Sequence, residues 1–111
     1  MNPSIPTNLI FSDPPVEHIE EVGNLYLRSI LLRNSGCVVK QHIHDREHLT
    51  LVGNGRARGW ADGKWIGDKK PGEGFWILAG QEHLFQALES DTRLVCVHDI
   101  VSAQSVKDKG I

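Results

Sequence analysis

The chain is poor in the residues that fill large cores and shows no excess of charge of one sign. Its 111 residues include one methionine, one tyrosine, three phenylalanines and two cysteines. Cys37 and Cys96 allow one bridge at most and lack C-x-x-C spacing, which removes support for redox-relay chemistry. Twelve Lys and Arg stand against fourteen Asp and Glu, a formal net charge of -2 with no long run of either sign. A binder of the nucleic-acid backbone draws its affinity from clustered cations, so nucleic acid is not an expected partner. No apolar run approaches the ~18 consecutive residues of a membrane helix. The opening Met1-Asn2-Pro3-Ser4-Ile5-Pro6 has no basic segment leading into an apolar one. The expectation is a soluble, cytoplasmic protein with no membrane partner.

What is present points to β structure. Chains of this length bury roughly 60 to 70% of their unfolded surface, enough for one core without disulfides or structural metal. Eleven glycines punctuate short apolar runs. Four of the five prolines fall at positions 3, 6, 14 and 15, so residues 1–24 read as an N-terminal arm. Within it, Val16 to Val22 is expected to form one helical turn stopped by Gly23. Strands are expected over 25–33, 37–42, 48–52, 56–61, 64–66, 74–78, 84–89 and 93–98. The Asp62-Gly63 pair between two of them suits a type I′ hairpin, which needs positive φ at both central residues. Residues 25–101 then form a single barrel or sandwich domain, and the polar, aperiodic residues 102–111 a tail.

Four of the six histidines fall at His42, His44, His48 and His83. In a strand, residues two apart project from one face, so His42 and His44 can reach one ion. His48 shares that parity after the turn at Asp45 and Arg46. His83 follows a glycine turn at the start of another strand, where a ligand from across a barrel would enter. Imidazole suits Fe, Mn, Ni, Cu and Zn to different degrees, and spacing does not choose among them.

These residues resemble the two motifs of the cupin superfamily. The first runs Gly36, five residues, His42-Ile43-His44, three residues, His48, six residues, Gly55. Histidine stands at position 48 where the family most often has glutamate. The second runs Gly72, five residues, Leu78, Ala79, Gly80, Gln81-Glu82, His83, three residues, Ala87. Leu78 and Ala87 replace the usual proline and asparagine. The resemblance implies an all-β cupin-type double-stranded β-helix, a jelly-roll barrel, with one divalent transition metal per subunit held by His42, His44, His48 and His83. Three histidines and a carboxylate would leave a divalent ion at +1, whereas four neutral imidazoles leave +2. Such a site favours anionic chelating ligands. If His48 swings away, a three-histidine site remains.

Strand parity sorts the other candidate residues. Phe85 and Ala87 share that of His83 and are expected as apolar pocket wall, with Cys96 and His98 approaching from the last strand. Cys37 has the opposite parity to His42 and is expected off the metal-binding face. Arg56 and Arg58 alternate with Ala57 and Gly59. Either the arginines enter the lumen to bind a carboxylate, or they stand outside and the small residues face in, the arrangement expected here. Trp60 and Trp65 flank the hairpin and could cap the core, line a pocket mouth or meet a second subunit; the last is expected. Glu82 is expected to be exposed, and His18 has no partner by spacing.

The resulting functional expectation is a metal-dependent small-molecule enzyme, dioxygenase-like, acting on a chelating enolate, diketone or phenolic compound, and assembled as a homodimer. The alternative is a non-catalytic metal- or ligand-binding module or accessory protein. No acid–base residue beyond Glu47, Glu82 and the ligands themselves, and no organic cofactor, is indicated by the sequence.

Overall fold

The computed structural model describes residues 2–11, 16–43 and 46–100, with the backbone alone at 16 and 40–43. The described residues form ten strands: β1 (Ile10–Phe11), β2 (Val16–Val22), β3 (Leu25–Leu32), β4 (Cys37–Ile43), β5 (His48–Asn54), β6 (Ala57–Ala61), β7 (Lys64–Lys69), β8 (Gly74–Ile77), β9 (Glu82–Ala87) and β10 (Thr92–Asp99). They build two five-stranded sheets, ordered β1-β4-β9-β6-β7 and β2-β3-β10-β5-β8. Neighbours are antiparallel except β1 and β4, which run parallel.

All eight expected strands are present, and the Asp62-Gly63 hairpin has the anticipated backbone, with φ of 51° and 78°. Two strands lie in the stretch read as an arm: Ile10–Phe11, which pairs with β4, and a longer one. Residues Val16–Val22 are a strand, not a helical turn, and pair along their whole length with β3 from Val16↔Leu31 to Val22↔Leu25. The Val16, Ile19 and Val22 spacing imitates a helical face. A single isolated turn is marginal, however, and the β-branched residues gain more from a continuous ladder.

The inner faces of both sheets meet in one core containing Ile30, Leu32, Val52, Phe75, Phe85 and Leu94. Close approach is built into it: a Cβ on Gly59 would lie 2.7 Å from the Phe75 ring, so only glycine fits where that ring crosses between the sheets. Outside the first sheet, Trp60, Leu84 and Val38 make a second cluster, covered by Ile5. No helix among the described residues is long and apolar enough to cross a membrane. Residues 102–111 lie outside the described residues.

Candidate metal centre

The inward positions divide into an apolar end and a polar end, and the division recurs on four strands. On β3, Tyr26 and Arg28 precede Ile30 and Leu32; on β5, His48 and Thr50 precede Val52; on β9, His83 precedes Phe85 and Ala87; on β10, Leu94 precedes Cys96 and His98. The antiparallel registers align the polar halves. Cys96 sits opposite both Arg28 and Thr50, and His98 opposite Tyr26. The lumen is therefore a hydrophobic plug at one end and a cup of hydrogen-bonding side chains at the other.

His48 and His83 face one another in that cup from opposite sheets. They are 3% and 1% exposed, with ring centroids 5.2 Å apart and planes tilted by 59°. Two imidazoles bound to one ion at ~2.0 to 2.2 Å, at right or tetrahedral angles, have centroids roughly 4.5 to 5.5 Å apart. The observed pair fits that requirement. His83 Nδ1 lies 3.4 Å from the Gln81 carbonyl. A proton on Nδ1 directed there makes Nε2 the ring's lone-pair nitrogen.

His42 pairs through its backbone with His83, after a register shift between Val39 and His42 in the β4–β9 ladder. Its side chain lies outside the described residues, as does all of His44. The same shift corrects the reading of Cys37. Strict alternation put it on the face opposite the metal ligands, but Cys37 is 3% exposed within the inner core, because the irregularity breaks the parity count between residues 37 and 42.

The remaining site candidates are distributed as follows. Phe85 is 1% exposed, with its ring 5.4 Å from that of His83 and 4.9 Å from that of Phe75, so it forms the floor between cup and plug. Ala87 lies deeper in the plug. Cys96 is a free thiol whose Sγ is 3.4 Å from Thr50 Oγ1. Burial pushes this thiol up from its ordinary range, against the weaker opposing pulls of Thr50 and the Arg28 charge. His98 stacks on Tyr26 at 4.9 Å and 15°, and its Nδ1 is 2.9 Å from the Asp99 carbonyl. Its Nε2 is buried with no hydrogen-bond partner among the described residues.

Arg58 faces outward, as expected. It forks onto Asp68, with Nε and Nη2 at 2.7 and 2.8 Å, and this bond holds the Asp68 carboxyl below its ordinary range. Ala57 is fully buried beneath. Arg56 is exposed, 3.9 Å from Glu89. Trp60 departs from the expectation of a subunit contact. Trp60 is 1% exposed and donates its indole N–H to the Pro3 carbonyl, so the chain's own arm covers it. Trp65 donates to Asp68 at 3.0 Å. Glu82 is exposed, and His18 is an exposed neighbour of Glu20.

Sequence reasoning missed Tyr26, Arg28 and Thr50. A usable signal existed: Tyr26 and Arg28 carry the parity of Ile30 and Leu32, so one inward face changes from polar to apolar midway along the strand.

Among solved structures, KdgF from Halomonas sp. superposes with a TM-score of 0.70 over 85% of this chain and 86% of its own, at 19% identity. A cupin superfamily protein from Desulfitobacterium hafniense superposes at 0.66, covering 86% and 83%, with 14% identity. The chain has the cupin fold. Oxalate oxidase shares this cupin barrel at a TM-score of 0.59 and 18% identity, over 67% of this chain and 41% of its own. No protein-family model and no curated protein matches the sequence. In the cupin barrel described here, the motif histidines that are resolved to side-chain level both line the polar cup.

Proposed function

We propose that this cupin is a metal-dependent small-molecule enzyme that uses dioxygen to oxidise a chelating enolate, diketone or phenolic compound. The observation that carries the reading is the pairing of buried His48 and His83 across the polar cup at a separation suited to one ion. His42 and His44 complete the proposed ligand set. A divalent transition ion bound there would supply a positive centre that gathers the ligand's oxygen atoms and exchanges electrons with it. The protein's own groups do the rest. The Gln81 carbonyl orients the His83 ring, Phe85 closes the floor against water, and the neutral Thr50 and Cys96 line the wall. A structural neighbour, oxalate oxidase, binds the substrate analogue glycolate, which is small, anionic and able to chelate. This supports the same ligand class here.

The partner in solution is a second copy of the chain, seated on the outer face of the second sheet. That face carries half-buried Leu27, Leu49, Leu51, Val95 and Val97 beside Trp76, which is 56% exposed. The corresponding face of the first sheet is covered by the N-terminal arm. A twofold axis would lay like on like, the commonest oligomer symmetry.

The test is elemental analysis of protein purified without added metal, followed by oxygen-electrode assays on a panel of enolates, diketones and catechols. One transition metal per chain with oxygen uptake on some member supports the reading. One metal per chain with ligand binding and no uptake would assign the protein to the ligand-binding alternative.

A further inference from the structure

Arg28 occupies an inward position on β3, between Tyr26 and Ile30 on the same face. Cys96 lies opposite it on β10 and Thr50 opposite Cys96 on β5, so the three form one row across the second sheet. The neighbouring row, toward the end of the barrel, holds Tyr26 and His98, with His48 on the next strand. Two strand spacings and one two-residue step separate the Arg28 and His48 backbones, on the order of 10 to 12 Å; the guanidinium lies on the β2 side of β3, and a turn of its long stem toward β10 would close much of that gap.

Arg28 is joined to Glu17 of edge strand β2 through Nη2 and Oε1. The pair is accessible, with side chains 29% and 33% exposed. It differs from the outward Arg58–Asp68 fork, where two guanidinium nitrogens are committed to one carboxylate. A guanidinium carries five N–H donors and takes a carboxylate edge-on with two of them. A partly exposed ion pair contributes little to folding, so stability alone does not account for an arginine in a row that otherwise holds the uncharged Ile19, Cys96, Thr50 and Phe75.

We propose that Arg28 is a carboxylate anchor inside the barrel, and that Glu17 occupies its guanidinium until a ligand carboxylate takes that place. The exchange replaces one carboxylate with another, so the charge on Arg28 is never left unpaired. Resting on the metal reading above, this deepens the substrate class: a molecule with a chelating head at the histidines and a carboxylate at its far end.

Caffeate, a catechol bearing a remote carboxylate, and its uncharged methyl ester make a matched probe pair. Calorimetric titration of the zinc-loaded protein, which is redox-inert, avoids turnover. Arg28→Met should weaken caffeate roughly tenfold to a hundredfold, the range for a hydrogen-bonded charge pair, and leave methyl caffeate within about twofold. Glu17→Gln removes the competing carboxylate and should tighten caffeate several-fold with no change for the ester. If Arg28→Met does not fold, Arg28→Lys carries the test, since it keeps the charge and loses the fork. Its caffeate-to-ester affinity ratio should fall. An unchanged ratio in the folded variant, or equal weakening of both probes, overturns the anchor. Metal content measured on the same samples separates the two claims. If wild type holds no metal, the enzymatic reading falls, and the non-chelating cinnamate titrated by NMR into metal-free protein decides the anchor alone. Saturable binding lost in Arg28→Met supports it; binding that is equal or absent in both overturns it.

Discussion

Trp60 donates its indole N–H to the carbonyl of Pro3, 57 residues earlier in the chain, at 2.9 Å. Through this bond the proline-rich arm becomes part of the barrel wall. Ile5 packs on the same cluster, and Ile10 and Phe11 add a short parallel strand to β4, which carries His42. The arm thus shields the back of the sheet that positions half of the candidate ligands.

Removing residues 1–6 should uncover Trp60 and lower stability by about 1 to 3 kcal/mol, from the lost hydrogen bond and the lost cover over apolar surface. Denaturant titration would measure the loss, and tryptophan emission should shift to the red. An unchanged midpoint and spectrum would show that the arm contributes nothing in solution.

The barrel should bind one divalent transition metal per chain and fold without it. A core of this size is self-sufficient, so chelation should lower the melting temperature and preserve a cooperative transition by circular dichroism. His83→Ala removes a buried imidazole of the proposed ligand set, facing His48, and should abolish binding at micromolar metal, as followed by elemental analysis. An unfolded metal-free protein would make the site structural.

Replacing His48 with glutamate lowers the charge of the proposed centre from +2 to +1. The variant should retain metal and bind an anionic chelator several-fold to about tenfold more weakly, since one unit of attraction is lost in a partly desolvated site. Calorimetry with the same chelator on both proteins checks this. Equal affinity would mean that residue 48 does not set the charge, leaving a three-histidine site.

Asp68 illustrates a pH-dependent contribution. Its carboxyl is held below its ordinary range first by the Arg58 hydrogen bond, with Trp65 adding a smaller pull. A depressed folded-state pKa stabilises above the unfolded value, and that stability is lost as pH falls through the folded one. Asp68→Asn should therefore cost about 1 kcal/mol at neutral pH. As pH falls below the ordinary carboxylate range and through the depressed folded-state pKa, the gap to wild type should narrow, as the Asp68 carboxyl becomes neutral like the amide. Denaturant midpoints of the two proteins across that window decide the point; a pH-independent gap would sink it.

The outer face of the second sheet supplies a test of assembly. Trp76→Glu places a charge at the edge of the apolar patch, on its most exposed aromatic, opposite Leu49 on the neighbouring strand. Sedimentation should report a dimer for wild type and a monomer for the variant. A wild-type monomer at tens of micromolar would overturn the dimer.

Local chemistry was enough to read the strands, the Asp62-Gly63 turn and the inward orientation of Ala57 and Gly59, because two-residue alternation and positive φ are properties of a few consecutive residues. Motif spacing was likewise enough to nominate His48 and His83, which the barrel brings together. Tertiary structure decided what depends on register and on distant partners. A bulge in β4 reversed the parity expected of Cys37, and a ladder to β3 turned Val16–Val22 from a helical turn into a strand. Trp60 found its cover in Pro3 rather than in a second subunit. Arg28 took an inward register position and paired with Glu17, while Arg58 faced outward onto Asp68, because alternation sorts side chains into two faces and only the packing of the two sheets decides which face is inward.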